Sequence, residues 1–312
     1  MTGYDYDIVC IGSGPAGQRA AVQAAKLGKR AAVIERMTCV GGVCVDTGTI
    51  PSKTLREAVL FFSGIGGRWD RRRGTRPDVR PGAGDLLARV GEVVAREIEV
   101  VQNQLRRNDV ALLQGEASFA DPHTLRIQTG PESWTRVTAE NVVGAGGTRA
   151  AQPPGGAADG EVVLTSDDVM RITQVPRSLV VVGAGVIGIE YASMFAALGV
   201  NVTLVERRTR PLEFLDTEIV DELMHQMRTR NVTFRLGEAV ESIEVAEGPP
   251  RRAALQLESG KRIVADMVLF SAGRIAATAP LQLDAAGLQA DERGRLRVDE
   301  SFRTSVPHIF AA

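Results

Sequence analysis

One unit is written twice in this chain, and it limits the fold more than any other feature. Residues 9–36 read VCIGSGPAGQRAAVQAAKLGKRAAVIER and residues 180–207 read VVVGAGVIGIEYASMFAALGVNVTLVER, an offset of 171 positions. Each copy runs from a short apolar strand through G-x-G-x-x-G into a helix with small residues on its packing face. Leu-Gly, a second strand and an acid follow. The spacing is the same in both: Gly12, Gly14 and Gly17 lead to Glu35, and Gly183, Gly185 and Gly188 lead to Glu206.

Each position has a physical task. The first glycine makes a tight turn, the second lets a pyrophosphate approach the backbone, and the third lets helix and strand pack closely. Free N–H groups and the dipole at the helix start favour an anion. The terminal carboxylate accepts a hydrogen bond from a ribose 2′-hydroxyl. One glycine-rich turn can arise by chance. Two complete βαβ units, each with a correctly spaced glutamate, point to two bound dinucleotides.

At 312 residues the chain has room for about two domains of ~150 residues. A net charge of −1 gives no reason to expect nucleic acid or an anionic membrane as partner. The N-terminus runs acidic into an apolar strand without a basic n-region, so no signal peptide is expected. No apolar run reaches the ~20 residues of a membrane span. Three cysteines without framework spacing fit a reducing compartment, and a cytoplasmic location is the expectation. His123, His225 and His308 are scattered and suggest no metal or triad set.

Periodicity predicts helices over 50–62 and 85–108, the latter with Leu86, Val90, Val94, Ile98, Val101 and Leu105 on one face. Residues 63–84 form an Arg/Gly/Pro excursion read as a solvated loop. Short strands are predicted at 110–114, 124–128, 134–137 and 141–143. The crossover into the second unit falls near 155–158. A helix near 217–229 and strands through 268–271 complete that unit.

The segment Gly41-Gly42-Val43-Cys44-Val45-Asp46-Thr47-Gly48-Thr49-Ile50-Pro51-Ser52-Lys53 resembles the redox segment of the flavin disulfide reductases, in which two cysteines flank four residues before a helix beginning I-P-S-K. Only the first cysteine stands here, at Cys44, and Thr49 holds the second position. A hydroxyl cannot close a disulfide. Flavin and nicotinamide without sulfur chemistry is the pattern of the soluble pyridine nucleotide transhydrogenases, which the chain resembles along essentially its whole length. The likeness continues through 116–119, 146–149, 272–274 and the closing TSVPHIFAA.

That resemblance implies an α/β fold of two Rossmann-like domains, the second inserted in the first. FAD binds a discontinuous domain of 1–150 and 272–312; NAD(P) binds 151–271. The residues implied at FAD are Gly12, Gly14, Gly17, Glu35, Arg36, Gly41, Gly42, Cys44, Lys53 and Ala117. Those implied at the nicotinamide nucleotide are Gly183, Gly185, Gly188, Glu206, Val240 and Gly273. Lys53 takes the place of the lysine beside flavin N5, and Glu190 that of its ion-pair partner. NAD(H) and NADP(H) are the implied substrates: Glu206 favours a free 2′-hydroxyl, while Arg207, Arg208 and Arg210 can balance a 2′-phosphate. The implied activity is FAD-dependent, ping-pong hydride transfer between NADPH and NAD+.

A dihydrolipoamide dehydrogenase or mercuric reductase is the nearest rival, which Thr49 argues against. The chain departs from the family in two places. Its A-T-G loop reads Ala145-Gly146-Gly147, with Ala150 in place of the usual proline. It also stops at Ala312, before the family's Gly-Asp and before the interface domain that makes the homodimer. The sequence is therefore read as C-terminally truncated, and a non-catalytic nucleotide-binding remnant stands as the alternative to an enzyme.

Overall fold

The computed structural model describes residues 3–64, 81–156, 158–246 and 248–312; the core of the Arg/Gly/Pro excursion and one residue of the expected crossover lie outside them. In chain order the first elements are β1 (Tyr6–Ile11), α1 (Pro15–Lys26), β2 (Ala31–Glu35), α2 (Gly42–Asp46), α3 (Thr49–Ser63) and α4 (Ala83–Arg107). Then come β3 (Ala111–Gln114), β4 (Glu116–Asp121), β5 (Thr124–Gln128), β6 (Trp134–Gly144), β7 (Thr148–Ala150) and β8 (Val163–Thr165). They are followed by β9 (Ser178–Val182), α5 (Val186–Ala197), β10 (Asn201–Glu206), α6 (Thr217–Arg228) and β11 (Val232–Leu236). The last are β12 (Val240–Ala246), β13 (Arg252–Leu257), β14 (Arg262–Ala265), β15 (Met267–Phe270), β16 (Arg274–Ala276) and β17 (Ile309–Ala311).

Two compact units emerge. The first comprises Met1–Pro51, Glu92–Arg149 and Ile275–Ala312, and the second Ser52–Gly91 and Ala150–Arg274. Relative to the expected boundaries, 52–91, Ala150 and 272–274 fall in the second unit rather than the first. One physical cause is visible at the start of 52–91, where Ser52 and Lys53 bond to Glu190 of α5.

In the first unit the strand order is β3-β2-β1-β6-β5-β4, with β17 also on β6. β3, β2, β1, β6 and β17 run parallel, the arrangement a βαβ crossover imposes. β2 is buried along its whole length, as a strand covered on both faces must be. Cys10, Val33, Val22, Val101 and Leu105 belong to the core on one face, and Val9, Ile34, Phe119 and Leu125 to another. The expected apolar stripe of α4 is present, with Leu86, Val90, Val101 and Leu105 all buried.

Three expectations change here. The two short strands predicted at 134–137 and 141–143 are one, β6. Its first half pairs antiparallel with β5 and its second half parallel with β1, and the intervening Thr138-Ala139-Glu140 contains no glycine or proline to break it. Strand β4, not foreseen, pairs antiparallel with β5. His123 and His308 are not scattered: their rings stack with centroids 3.7 Å apart, and Tyr4 stacks on His123. Their ring nitrogens bond to the carbonyls of Ala139 and Pro122, which makes them packing groups.

The second unit holds a five-stranded parallel sheet, β11-β10-β9-β15-β8, and a separate antiparallel sheet, β12-β13-β14. Helix α5 buries Ile189, Tyr191, Ala192, Met194, Phe195 and Ala196, so it is apolar over most of its surface. No described helix is long and apolar enough to cross a membrane.

Candidate functional site: paired dinucleotide cradles

In the first unit the turn between β1 and α1 sets the geometry. Gly12 has φ +106°, and a Cβ there would stand 2.3 Å from the Ala145 carbonyl oxygen. A Cβ on Gly17 would stand 2.0 Å from the Gly12 oxygen, whereas one on Gly14 would meet nothing within 4 Å. Two glycines are thus closed in by backbone, and the middle one faces open space where a pyrophosphate can approach. Helix α1 starts at Pro15 with no side-chain cap and no acid in its first turn. Helix α5 likewise has neither. By contrast, α6 is capped by Asp216 and carries Glu218 in its first turn. The two uncapped helices keep the orphan N–H groups that an anion satisfies.

Glu35, at the end of β2, is buried and ordered by that turn. Its Oε2 accepts from Ser13 N at 2.9 Å and Ser13 Oγ at 2.5 Å, and its Oε1 accepts from Met37 N at 2.9 Å. Ser13 Oγ in turn accepts from Gly41 N at 2.9 Å. A Cβ on Gly42 would lie 2.9 Å from Gly14 Cα, so the Gly41-Gly42 bend is packed directly on the glycine turn. Sequence reasoning missed Ser13; its one signal is a hydroxyl inside the first G-x-G where the second copy has Ala184. Ala117 is buried in the core and offers a ligand its backbone only. Arg36 is exposed and stands 3.8 Å from Glu116.

The second cradle repeats the first down to its hydrogen bonds. Ala184 N donates to Glu206 Oε2 at 2.7 Å across the same 22-residue separation that links Ser13 N to Glu35. A Cβ on Gly183 would lie 2.9 Å from Ser271 O, one on Gly188 would lie 1.9 Å from Gly183 O, and one on Gly185 would again meet nothing within 4 Å. The copies differ at the carboxylate. Arg208 N and Nε both donate to Glu206 Oε1 at 3.0 Å, and Arg208 Nη2 donates to Oε2 at 3.0 Å. Burial works against the Glu206 charge, but the Arg208 side-chain and backbone bonds, the Ala184 amide and the Arg208 charge together hold its carboxyl below the usual range. Of the other residues expected here, Val240 packs against the core of this unit, and the Gly273 carbonyl accepts from Ala151 N at 3.1 Å.

Cys44 lies in the short helix α2 and Thr49 opens α3. Cys44 is a half-buried free thiol. Lys53 Nζ forms an ion pair with Glu190 Oε1, the pairing the family resemblance implies. Ser52, which sequence reasoning passed over, is buried and donates to the same Oε1 at 3.4 Å. Next along α5, burial raises the phenol of Tyr191, with Glu190 and Asp167 adding to the effect.

Two nucleotide cradles on parallel sheets, each closed by a buried glutamate, define a paired Rossmann-like α/β protein. The chain belongs to the pyridine nucleotide-disulphide oxidoreductase family, matched over residues 6–312. It is 49% identical over 308 residues to the soluble pyridine nucleotide transhydrogenase of Mycobacterium bovis (strain BCG / Pasteur 1173P2), covering 98% of this chain and 65% of that protein. It is 38% identical over 310 residues to the soluble pyridine nucleotide transhydrogenase of Colwellia psychrerythraea, covering 99% of this chain and 65% of that protein. Among solved structures, the Cu(II) complex of the HOCl-induced flavoprotein disulfide reductase RclA from Escherichia coli superposes with a TM-score of 0.85 at 30% identity. That match covers 98% of this chain and 65% of RclA. The chain thus spans 65% of the length of these relatives.

Proposed function

We propose that this chain carries the nucleotide-binding machinery of an FAD-dependent NAD(P)+ transhydrogenase, which moves hydride between NADPH and NAD+ in a ping-pong cycle without a redox disulfide. FAD is assigned to the first cradle and the nicotinamide nucleotides to the second. The observation that carries the reading is Thr49: the glycine bend, Cys44 and Lys53 of a flavin disulfide reductase are all kept, and a hydroxyl stands where the second thiol belongs. A dihydrolipoamide dehydrogenase-like activity needs that thiol.

When bound, FAD supplies the chemistry of accepting hydride from one nicotinamide and returning it to another. The chain's own residues bind and orient. The open face of Gly14 and the uncapped start of α1 receive the flavin pyrophosphate, and Glu35, ordered by Ser13, takes the ribose hydroxyls. Gly185, α5 and Glu206 do the same for the nicotinamide nucleotide. Lys53 places a fixed positive charge, oriented by Glu190, and such preorganisation favours negative charge on the flavin. The soluble transhydrogenase relatives support the activity.

The test is an absorbance spectrum of the purified chain with added FAD, before and after anaerobic NADPH. The reading expects bound flavin bands that bleach with NADPH and return with NAD+. A chain that retains no flavin, or whose flavin stays oxidised, refutes it and leaves a non-catalytic remnant. Reduction of lipoamide in place of a thio-nicotinamide analogue would identify a disulfide reductase instead.

A further inference from the structure

The two cradles share the backbone amide that orders the glutamate, but only the first has a hydroxyl beside it. The Ser13 side chain has one proton, which goes to Glu35 Oε2 at 2.5 Å, while its oxygen accepts from Gly41 N at 2.9 Å. Ala184 holds that place in the second copy and has no hydroxyl to pass a bond onward. Ser13 is 0% exposed and Glu35 5%, so water does not stand in for either bond. A carboxylate offers about four lone-pair sites. Ser13 and the Met37 amide fill two on Oε2 and one on Oε1, which leaves a place on Oε1 for a ribose hydroxyl.

The far end of this relay is a bend with little freedom of its own. Gly41 has φ +112°, and a Cβ there would stand 2.4 Å from Val45 Cγ2. Gly41 is also the N-cap of α2, the helix that carries Cys44, and makes no side-chain cap. It is buried, and the partner of its amide is Ser13. Ser13, Glu35, Gly41 and Cys44 all lie within the first unit.

We propose that Ser13 is a positioning residue that couples the adenosine end of the FAD site to the bend before Cys44. A ribose hydroxyl on Glu35 fixes the carboxylate, and the carboxylate fixes the single proton of Ser13. The oxygen so oriented then holds the Gly41 amide. Occupancy of the ribose site therefore orders 41–49, and order in 41–49 favours ribose binding by the same factor. Such coupling works through order alone and needs no displacement of the bend. The inference rests on assigning FAD to the first cradle. It concerns binding and is read without turnover.

The experiment is amide hydrogen exchange read by mass spectrometry on the purified chain, without ligand, with FAD, and with ADP, which has the ribose and no flavin. Wild type, Ser13→Ala and Ser13→Thr are compared at matched occupancy, judged by protection of the 12–18 amides. Ser13→Ala should fold, because the second cradle holds alanine at the same place, and scanning calorimetry checks it. In wild type, ADP should slow exchange across 41–49 roughly 10-fold, the scale of one hydrogen bond. In Ser13→Ala that slowing should vanish while 12–18 stay protected. FAD, titrated by flavin fluorescence, should bind that variant roughly 10-fold more weakly. Ser13→Thr keeps the hydroxyl and should restore part of both effects. If 41–49 only exchange faster in Ser13→Ala and ADP still slows them as in wild type, Ser13 is merely structural and the proposal falls. It falls equally if FAD affinity is unchanged. Wild type whose 12–18 amides gain no protection from either ligand would overturn the assignment of the first cradle, and the coupling with it.

Discussion

Alanine at Gly185 and at Gly188 should separate nucleotide binding from stability, because the two positions meet opposite surroundings. A Cβ on Gly188 would stand 1.9 Å from Gly183 O and 2.7 Å from Ser271 Oγ. The start of α5 must then retreat by roughly 1 Å or more to regain van der Waals contact. Ser271 Oγ, which donates to Val182 O at 2.9 Å and lies 3.2 Å from Gly183 O, must move with it. Overpacking of this kind costs about 1–3 kcal/mol, and a lost hydrogen bond adds about 1 kcal/mol. For a unit of this size each kcal/mol lowers Tm by about 2–4 °C, so Gly188→Ala should melt at least about 4 °C below wild type. Gly185 differs: its φ is −76° and a Cβ there meets nothing within 4 Å. Gly185→Ala should therefore keep its stability to within about 0.5 kcal/mol, while its methyl occupies the approach of a pyrophosphate and weakens NAD+. Scanning calorimetry and nucleotide titration read the two effects separately. A Gly188→Ala variant with wild-type Tm, or a Gly185→Ala variant with wild-type NAD+ affinity, would refute the geometric argument.

Further outcomes follow from the same contacts. Lys53 is mostly exposed in its pair with Glu190, so Lys53→Met should change stability by under about 1 kcal/mol. Stopped-flow reduction of bound flavin by NADPH should slow roughly 100-fold in that variant; an unchanged rate would remove Lys53 from the machinery. Burial, only partly offset by the Ala21 backbone, pushes the Cys10 thiol up to about 12. Native protein alkylated at pH 8 should therefore carry label on Cys44 and not on Cys10, and equal labelling by mass spectrometry would contradict that burial. Burial disfavours the Asp159 carboxylate, but the amides of Glu161, Val163 and Val162 and the charge of Arg251 outweigh it and hold the group below 3.8. A depressed folded value adds stability above the unfolded one and loses it as pH falls through the folded value. Denaturant melts should show a constant gap between wild type and Asp159→Asn near neutrality that closes as pH falls below 3.8. A gap that widens in acid would reverse the sign.

Much of the architecture was legible in the chain because its determinants are local. Glycine spacing sets the turn and apolar periodicity sets α4, so both cradles could be expected from residue order, whereas the Lys53–Glu190 pair was implied only by the family resemblance. The boundary of the second unit was not legible, since 52–91 is assigned by what it touches. Strand β6 reads as two pieces because a strand that changes partner midway shows no single alternation. Ser13 was passed over because its role appears only when the turn, Glu35 and Gly41 converge. The stacking of His123 on His308, 185 positions apart, leaves no trace in either neighbourhood. Composition and spacing alone determined that two dinucleotide cradles exist and where each begins. Only the tertiary structure decided which glutamate carries an arginine, because Arg207, Arg208 and Arg210 are alike in sequence and differ only in where the loop after β10 points each guanidinium.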